Sequence, residues 1–284
     1  SQACTELVDI NHMRSEKQTL EFTKMEACGN DYIYVNCFNQ KIDNPEGLSI
    51  RFADRHFGIG GDGVVLMYPS DVADVKMRMF NLDGTEGRMC GNAARCIAKY
   101  LIDNGIVNRD YVTIETLSGI RKVAVEKVNG VVSYATVDMG KAELNPAMIP
   151  VKLPGDTAIG VPTKVADGRY RITCVSMGNP HCVVFSEDLD SPLDYLDLEK
   201  LGPKFENDPL FPERVNTEFI KVLNPKTLKM RVWERGSGET WACGSGACAA
   251  VVAAVENGYC PKNEDITVKL KGGDLRIRYT DDAV

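Results

Sequence analysis

Two cysteines occupy equivalent places in two similar stretches of this chain. Cys90 lies in Met89–Cys96, whose sequence is MCGNAARC, and Cys243 lies in Ala242–Cys248, whose sequence is ACGSGAC. The shift of 153 residues that superposes these cysteines also superposes Met77-Arg78 on Met230-Arg231, Asn81 on Glu234, Glu86 on Glu239, and Asn104-Gly105 on Asn257-Gly258. Similarity held in one register over so many positions indicates an internal duplication, and therefore a matched pair of thiols.

Each of these cysteines directly precedes a segment with helical character, so each is expected at a helix N-terminus. Unpaired backbone N–H groups and the helix dipole stabilise an anion there. A free cysteine has a pKa of about 8.5, and a helix N-terminus can lower it to roughly 3.5–7.5, so we expect reactive thiols. Gly91 and Gly244 follow the cysteines and have no side chain to keep a substrate carboxylate from the N–H groups.

A thiolate and a thiol that flank one α-carbon can invert it. The thiolate removes the α-proton from one face, and the thiol donates a proton to the other. Because the α-proton of an amino acid is very weakly acidic, the developing negative charge must meet preorganised donors, which two helix N-termini supply. This chemistry requires no cofactor and no metal ion, and we expect neither.

The segments that follow the two cysteines are predicted to be buried helices. Apolar residues cover most of the helix circumference from Cys90 to Asn104, and Ala247–Val255 has no side chain more polar than a thiol. Segments rich in β-branched and aromatic residues precede and follow both helices. The predicted strands are Leu20–Lys24, Tyr32–Phe38, Val64–Tyr68, Lys76–Phe80, Tyr111–Glu115, Arg121–Lys127, Val131–Met139, Tyr170–Ser176, Cys182–Phe185, Ile266–Leu270 and Leu275–Tyr279. Each helix is therefore expected inside a wrap of strands.

The duplication divides the chain into two lobes. Residues 1–19 are predicted to be a tail, 20–144 an N-terminal lobe that carries Cys90, and 145–284 a C-terminal lobe that carries Cys243. Three prolines in 145–155 give the clearest linker signal in the chain. The last strand is also compatible with packing back on the N-terminal lobe.

Bulk composition limits the classes of function. The 284 residues have a net charge of −7 with scattered basic residues, which argues against a nucleic-acid partner. Residues 1–20 contain no apolar signal segment, and the apolar run 247–255 is too short to span a bilayer. We therefore expect a cytoplasmic protein without a membrane partner. With three histidines and no Cys-x-x-Cys pair among ten cysteines, no structural metal site is expected.

One glycine-rich segment matches a nucleotide-binding pattern only in its letters. Gly58–Gly63 reads GIGGDG and fits G-x-G-x-x-G. A dinucleotide-binding loop follows a strand and begins a helix, whereas this segment follows a helix-like stretch and leads into a strand. It is therefore interpreted as a turn beside the functional site.

Several motifs together resemble those of the diaminopimelate epimerase family. They are Gly29-Asn30-Asp31, Cys90–Cys96, Gly178-Asn179-Pro180-His181, Glu234–Thr240 and Ala242–Ala247, and the likeness runs from about Leu20 to Tyr279. The resemblance implies interconversion of LL- and meso-2,6-diaminopimelate in lysine and peptidoglycan-precursor synthesis, without pyridoxal phosphate or metal. It also implies an α+β fold of two pseudo-symmetric lobes, each a mostly antiparallel sheet around a central buried helix, and a homodimer.

The resemblance also implies roles for individual residues. Cys90 and Cys243 would be the acid/base pair, and His181 and Glu234 would tune the pKa values of the thiols. The carboxylate at the reacting centre would be held by Gly91, Asn92, Gly244 and Ser245. The distal amino-acid end of the substrate would be bound by Asn30, Asn81, Asn179, Asn216, Glu234 and Arg235. Part of the family has a substrate-contacting glutamine where this chain has Gly63, so a contact there is either made by the backbone or absent.

Three other functions remain as alternatives. A proline or hydroxyproline racemase or epimerase of the same architecture typically has Gly-His after the first cysteine, where this chain has Gly91-Asn92. A dithiol redox protein usually places both cysteines in one short motif, whereas these two are 153 residues apart. A non-catalytic binding module on the same fold would have no need of both thiols.

Overall fold

A computed structural model describes residues 19–284, which form two compact units. The first unit ends at Asp138, and the second comprises Met139–Val284. Of the tail predicted for residues 1–19, residues 1–18 lie outside the described part of the chain. Within residues 19–284, no helix is both long and apolar enough to cross a membrane.

The first unit consists of one sheet and two helices. The strands pair in the order β1-β2-β3-β4-β6-β7-β8, with β5 paired to β4, and all neighbours are antiparallel except β2 with β3 and β4 with β6. The strands are β1 (Thr23–Ala27), β2 (Asn30–Asn36), β3 (Gly63–Tyr68), β4 (Val75–Asn81), β5 (Glu86–Gly87), β6 (Tyr111–Thr116), β7 (Gly119–Val128) and β8 (Val131–Val137), and the helices are α1 (Pro45–Phe52) and α2 (Gly91–Asp103).

The two helices of the first unit pack with opposite faces of the sheet. Alternate residues of a strand point to opposite faces. Tyr32 and Tyr34 of β2 belong to the core cluster around α2, whereas Ile33 and Val35 belong to the cluster that contains Phe52 of α1. The side chains of α2 that are fully buried there are Ala93, Ala94, Ile97, Ala98 and Leu101. α2 is therefore the central buried helix of this unit.

The second unit has the same organisation. Its strands pair in the order β16-β15-β13-β12-β11-β10-β9, with β14 paired to β13, and only β11 with β12 and β13 with β15 are parallel. The strands are β9 (Val161–Val165), β10 (Gly168–Ser176), β11 (Pro180–Phe185), β12 (Asn216–Asn224), β13 (Thr227–Glu234), β14 (Gly238–Glu239), β15 (Asp265–Leu270) and β16 (Gly273–Arg278), and the helices are α3 (Leu198–Glu206) and α4 (Gly244–Glu256).

The duplication seen in the sequence is present in the structure. Shifting α2 by 153 residues reproduces the bounds of α4 to the residue. α4 packs against strands β10 to β13, β15 and β16, and Ala249–Ala254 within it are fully buried. The predicted α+β fold, with a mostly antiparallel sheet around a central buried helix in each unit, is confirmed.

Several elements of the second unit are absent from the sequence-based prediction, namely helix α3 and strands β9, β12 and β13. Helix α3 was not predicted, because it contains Gly202 and Pro203, which disfavour helices. The proline-containing stretch 145–155 packs within this unit, where Ile149 and Val151 are buried in the core cluster that contains α3, and the predicted lobe boundary at 145 stays a prediction. The last strand, β16, pairs with β15 of the same sheet.

Candidate active site

Cys90 is the N-cap residue of α2. Its backbone is extended, with φ −139° and ψ 118°, and its sulfur accepts a hydrogen bond from the N–H of Ala93 at 3.5 Å. The sulfur therefore takes the place that a serine or aspartate oxygen usually occupies at a helix N-terminus. The thiol also donates a hydrogen bond to Oδ1 of Asn30, 3.5 Å away.

Cys243 has the same position and conformation at the start of α4. It is the N-cap residue, with φ −132° and ψ 106°, and its sulfur accepts a hydrogen bond from the N–H of Gly246 at 3.3 Å. The hydroxyl of Ser245 lies 3.7 Å from the same sulfur. The two cysteines predicted from the sequence thus share the same local geometry, one in each unit.

The first two N–H groups of each helix are available to a ligand. These groups have no acceptor within an α-helix, and the cysteine sulfur takes the third N–H in each case. No acceptor within residues 19–284 takes the N–H of Gly91, Asn92, Gly244 or Ser245. An anion such as a carboxylate fits this arrangement.

Amide side chains surround the sulfur in the first unit. Oδ1 of Asn30 accepts hydrogen bonds from Asn92 at 3.2 Å and from Cys90, and Nδ2 of Asn30 donates to Oδ2 of Asp62 at 2.7 Å. Because a carboxylate only accepts, Asp62 fixes which end of the Asn30 amide faces the thiol. Asp62 is in turn bound by Arg55 at 3.1 Å. Sequence analysis did not single out Asp62 for this role.

Gly63 has no room for a side chain. Its φ is +157°, and a Cβ atom there would lie 2.0 Å from the carbonyl oxygen of Phe80. Gly63 pairs with Asn81 across β3 and β4, and Nδ2 of Asn81 donates to the hydroxyl of Thr85 at 3.0 Å. A substrate contact at position 63 is therefore restricted to the backbone.

A network of imidazole, carboxyl and amide groups in the second unit leads to Ser245, the neighbour of the Cys243 sulfur. His181, at the start of β11, is fully buried, and its Nδ1 lies 2.7 Å from Oε1 of Glu218, which is also fully buried. Nε2 of His181 lies 2.9 Å from Oδ1 of Asn179, and Nδ2 of Asn179 donates to the hydroxyl of Ser245 at 3.3 Å. This network connects Glu218 with the neighbour of the Cys243 thiol.

Glu218 was missed by the sequence analysis. On β12, Asn216, Glu218 and Ile220 alternate with apolar or small residues and face the side that carries α4. A carboxylate in that inward series is a usable signal, but it requires the strand to be recognised first. β12 was not among the predicted strands.

Glu234 ends β13 on the same face as Glu218. The hydroxyl of Thr240 donates a hydrogen bond to Oε1 of Glu234. Burial and the nearby Glu218 carboxyl raise the pKa of Glu234, while Thr240, His181 and Cys243 act in the opposite direction. The carboxyl of Glu234 therefore lies near the Cys243 thiol, and its role as a tuning residue stays a prediction.

The pKa of the Cys243 thiol is raised well above its ordinary value. Burial is the main cause, and the carboxyls of Glu234 and Glu218 add to it, while Ser245 and the N–H of Gly246 lower the pKa. The lowered pKa expected from the helix N-terminus is therefore wrong for Cys243. The helix contributes in the expected direction but is outweighed by burial and by two nearby carboxyls.

Asn216 and Arg235 are tied to each other. Oδ1 of Asn216 accepts a hydrogen bond from the backbone N–H of Arg235 at 2.8 Å, and its Nδ2 donates to the carbonyl of Pro180 at 3.1 Å. The Arg235 guanidinium donates to the carbonyl of Glu213 at 2.9 Å. Asn216 thus connects the turn that carries His181 with the turn that carries Arg235.

The turn that carries Arg235 is also held by a buried carboxyl outside the predicted set. Glu206 of α3 accepts hydrogen bonds from the N–H of Gly236 at 2.9 Å, from the indole of Trp233 at 2.8 Å, and from Arg214 at 2.7 Å.

Trp241, two residues before Cys243, is 56% exposed, and the ammonium of Lys271 lies 5.6 Å from the centre of its ring.

Comparisons with a family model and with individual known proteins identify the same family. The family model for diaminopimelate epimerase matches residues 22–145 and 173–284. The diaminopimelate epimerase of Desulfovibrio desulfuricans is 52% identical over 266 residues, which is 92% of this chain and 91% of that protein. The diaminopimelate epimerases of Acetivibrio thermocellus and Methanococcus maripaludis are each 49% identical over 262 residues, with 92% of this chain covered and 91% and 92% of those proteins.

Solved structures with the same fold are more distant in sequence. A probable proline racemase from Agrobacterium radiobacter aligns with a TM-score of 0.67 at 15% identity, over 92% of this chain and 84% of that one. A hydroxyproline epimerase from Agrobacterium vitis aligns with a TM-score of 0.66 at 14% identity, over 93% and 85%. At this identity the likeness concerns the fold alone.

Proposed function

This chain belongs to the diaminopimelate epimerase family, and from that premise we propose that Cys90 and Cys243 are the two acid/base groups of its reaction. The enzyme is an isomerase that epimerises diaminopimelate at one α-carbon. The observation that carries the proposal is that both thiols cap a buried helix in the same conformation, in two copies of one structural frame.

The proposed reaction moves one proton onto the enzyme and one off it. One cysteine, as thiolate, takes the α-proton, so that the C–H bond breaks and an S–H bond forms. The carbanionic centre then takes a proton from the other cysteine on the opposite face, which becomes the thiolate. The reverse reaction exchanges the two roles. Because the two sulfurs share one proton, their titration belongs to the pair.

Backbone N–H groups are proposed to hold the carboxylate next to the reacting carbon. Gly91, Asn92, Gly244 and Ser245 supply these groups at the two helix N-termini. As the α-carbon loses its proton, negative charge spreads into this carboxylate, and donors fixed in advance stabilise it without reorganisation. The same donors make a cofactor unnecessary for the step.

Polar side chains are proposed to recognise the distal amino-acid end of the substrate. The guanidinium of Arg235 suits a carboxylate, and amide groups suit both a carboxylate and an ammonium group. A site built to hydrogen-bond a group discriminates strongly against substrates that lack it. The proposed set is Asn30, Asn81, Asn179, Asn216, Glu234 and Arg235, with a backbone contact at Gly63.

Deuterium exchange tests this function. We expect enzyme incubated with LL-diaminopimelate in D2O, without added cofactor, to form the meso product with deuterium at the inverted α-carbon. Exchange should be lost in Cys90→Ala and in Cys243→Ala, and it should be insensitive to chelators. Cys96→Ala and Cys248→Ala are matched controls, because these buried cysteines lie inside the same two helices and should retain activity.

Three outcomes would contradict the proposal. Full exchange in either Cys90→Ala or Cys243→Ala would remove that thiol from the mechanism. Turnover of proline but not of diaminopimelate would favour a proline-type racemase. Activity that consumes a reductant in proportion to product would favour a dithiol redox protein.

We also propose that the enzyme is a cytoplasmic homodimer. Both thiols must remain reduced to exchange protons, which suits a reducing compartment. The dimer is the state expected from the family resemblance. Sedimentation equilibrium at two protein concentrations tests it, and a mass equal to one chain at both concentrations would exclude the dimer.

A further inference from the structure

The two sulfurs have different neighbours although they occupy one structural frame. In the first unit Tyr32 of β2 pairs with Gly63 of β3, and in the second unit His181 of β11 pairs with Asn216 of β12. Tyr32 and His181 are therefore at equivalent positions. Val65 lies two residues after Gly63 in β3, and Glu218 lies two residues after Asn216 in β12, so Val65 in the first unit corresponds to Glu218 in the second. Asn81 corresponds likewise to Glu234. At these equivalent positions, imidazole and carboxyl groups are therefore found only in the unit of Cys243.

The hydrogen-bond partners of His181 determine how many hydrogens the His181–Glu218 pair holds. Oδ1 of Asn179 is an acceptor, because Nδ2 of the same amide donates to Ser245, so Nε2 of His181 must carry a hydrogen. The 2.7 Å contact between Nδ1 and Oε1 of Glu218 requires a second hydrogen between them. Wherever that hydrogen resides, the pair as a whole is neutral and Glu218 determines the orientation of the ring.

Glu218 also lies beside the Cys243 sulfur itself. A Cβ atom on Gly246 would be 2.6 Å from Oε1 of Glu218 and 3.1 Å from the sulfur of Cys243. Both atoms therefore border the same small space at the N-terminus of α4. Glycine at position 246 leaves that space open, so the carboxyl can approach the thiol.

The bonding of Glu218 differs from that of a carboxyl with a purely structural role. Oε2 of Glu218 is buried and has no hydrogen-bond partner within the described residues. Glu206, a buried carboxyl of the same unit, has partners on both oxygens: Arg214 and Gly236 on one, Trp233 on the other. An unpaired buried carboxyl oxygen costs free energy of folding, which is characteristic of functional sites.

We propose that Glu218 is a positioning residue for the epimerisation, which orients His181 and keeps the Cys243 sulfur protonated in the resting enzyme. This inference rests on the proposed function of Cys243 as an acid/base group. In a turnover that begins from the resting enzyme, Cys243 is then the thiol that donates the proton.

The groups that face the Cys243 sulfur act in a consistent direction. Glu218 of β12 and Glu234 of β13 both disfavour a negative charge on the sulfur, and both raise the pKa of Cys243 beyond the effect of burial. His181 of β11 offsets part of the charge on Glu218, but the carboxyl oxygen is the atom of the pair that borders the space beside the sulfur. On α4, the Ser245 hydroxyl and the N–H of Gly246 favour the thiolate. Removing the Glu218 carboxyl should therefore make the thiol easier to ionise.

Alkylation of Cys243 as a function of pH tests the inference independently of turnover. The parent is Cys90→Ser, iodoacetamide is the probe, and modification of the peptide containing Cys243 is measured by mass spectrometry. We expect Glu218→Gln in this parent to lower the pH midpoint by at least about one unit, which corresponds to roughly tenfold faster alkylation at pH 7. An unchanged or raised midpoint would overturn the inference.

Glu206→Gln is the matched control. It also removes a buried carboxyl from the second unit, but Glu206 binds Trp233, Gly236 and Arg214 and not the thiol network. We expect it to lower thermal stability without moving the alkylation midpoint. An equal shift in both variants would mean that loss of a buried charge, and not the position of Glu218, causes the effect.

Two further measurements do not depend on Glu218→Gln being folded. Gly246→Ala should displace the Glu218 carboxyl and lower the midpoint in the same direction. In the protein without substitutions, Cys90 should be alkylated faster than Cys243 at neutral pH, and the reverse order would overturn the inference. Loss of exchange activity in Cys243→Ala tests the proposed function separately, since the alkylation midpoint requires no substrate.

Discussion

Cys90 and Cys243 each use one sulfur atom for two purposes. The sulfur caps a helix through the N–H of Ala93 or Gly246, and it is proposed to carry the proton of the reaction. A serine oxygen can replace a sulfur in the first role but not in the second, because an alcohol is a far weaker acid than a thiol. The two roles can therefore be separated by substitution.

Serine and alanine should separate the two roles of Cys90. Cys90→Ser should retain the free energy of unfolding of the unsubstituted enzyme, because its hydroxyl caps α2 as well as the thiol does. Cys90→Ala should lose about 1 kcal/mol through the missing cap. Both should reduce kcat by at least about a hundredfold, the lower range for a lost acid/base group. Urea denaturation and initial rates provide the measurements, and equal stability of the two variants would exclude a capping role.

Gly63 should tolerate no side chain. Gly63→Ala places a Cβ 2.0 Å from the carbonyl oxygen of Phe80, a backbone atom that cannot move aside easily. We expect a loss of at least about 3 kcal/mol of unfolding free energy. The control is Gly130→Ala, where φ is +80° but nothing lies within 4 Å of the added atom, so only about 1–2 kcal/mol should be lost. Similar losses in thermal or chemical denaturation would show that conformation, not the close contact, determines the cost.

Sequence reasoning at the residue scale could single out a residue only where it lies in a repeated or recognisable motif. Cys90 and Cys243 could be paired because the duplication aligns them. Glu218 and Asp62 could not be singled out, since each is bonded to a neighbour that is distant in sequence: His181 and Asn30, respectively. Contacts across strands are invisible until the pairing of those strands is known.

At the element scale, composition was sufficient to predict the two central helices but not to predict α3. A helix that is apolar on most of its circumference can only be buried, and α2 and α4 end near Asn104-Gly105 and Asn257-Gly258 as predicted. α3 contains Gly202 because a Cβ there would lie 2.1 Å from the ring of Trp233. A glycine required by tertiary packing therefore concealed a helix from a reading of local preference.

The central helix of the first unit should be sensitive to cavities. Leu101 of α2 is fully buried, so Leu101→Ala should cost about 2–5 kcal/mol of unfolding free energy. Leu82 is 51% exposed in the turn after β4, and Leu82→Ala should change stability by less than about 0.5 kcal/mol. Equilibrium denaturation of the two variants tests this, and equal values would contradict the central position of α2 in the core.

At the scale of the whole molecule, the preserved register explains why a 153-residue repeat could be read from the sequence. Both sheets have one parallel pair beside the strand that leads to the helix N-terminus and a second parallel pair after the helix. The order of the strands could not be read in this way. Parallel neighbours are distant along the chain, so no local pattern specifies them.

Stability in acid should depend on carboxylates of the first unit. Burial opposes ionisation of Asp74, but the N–H and hydroxyl of Thr113 and the guanidinium of Arg109 outweigh it and lower the pKa of Asp74 below its ordinary value. A carboxyl whose pKa is lower in the folded state stabilises the fold above its unfolded-state pKa, about 3.9, and this contribution is lost as pH falls through the folded-state value.

Asp74→Asn should therefore lower stability at pH 7 by about 1–2 kcal/mol and flatten the loss of stability below pH 4. Asp71→Asn, at an exposed carboxylate nearby, is the control and should leave the profile unchanged. Thermal denaturation between pH 3 and pH 7 provides the measurement. A profile of Asp74→Asn that runs parallel to that of the unsubstituted protein would contradict the assignment.

The different environments of the two tryptophans provide this enzyme with an intrinsic fluorescence probe. Trp233 is buried and bound to Glu206, so it should emit at short wavelength and resist collisional quenching. Trp241 is 56% exposed and precedes Cys243 by two residues, so iodide should quench its emission. A ligand seated at the start of α4 should shield Trp241 from iodide and leave the Trp233 component unaltered, which allows occupancy to be followed by light without turnover.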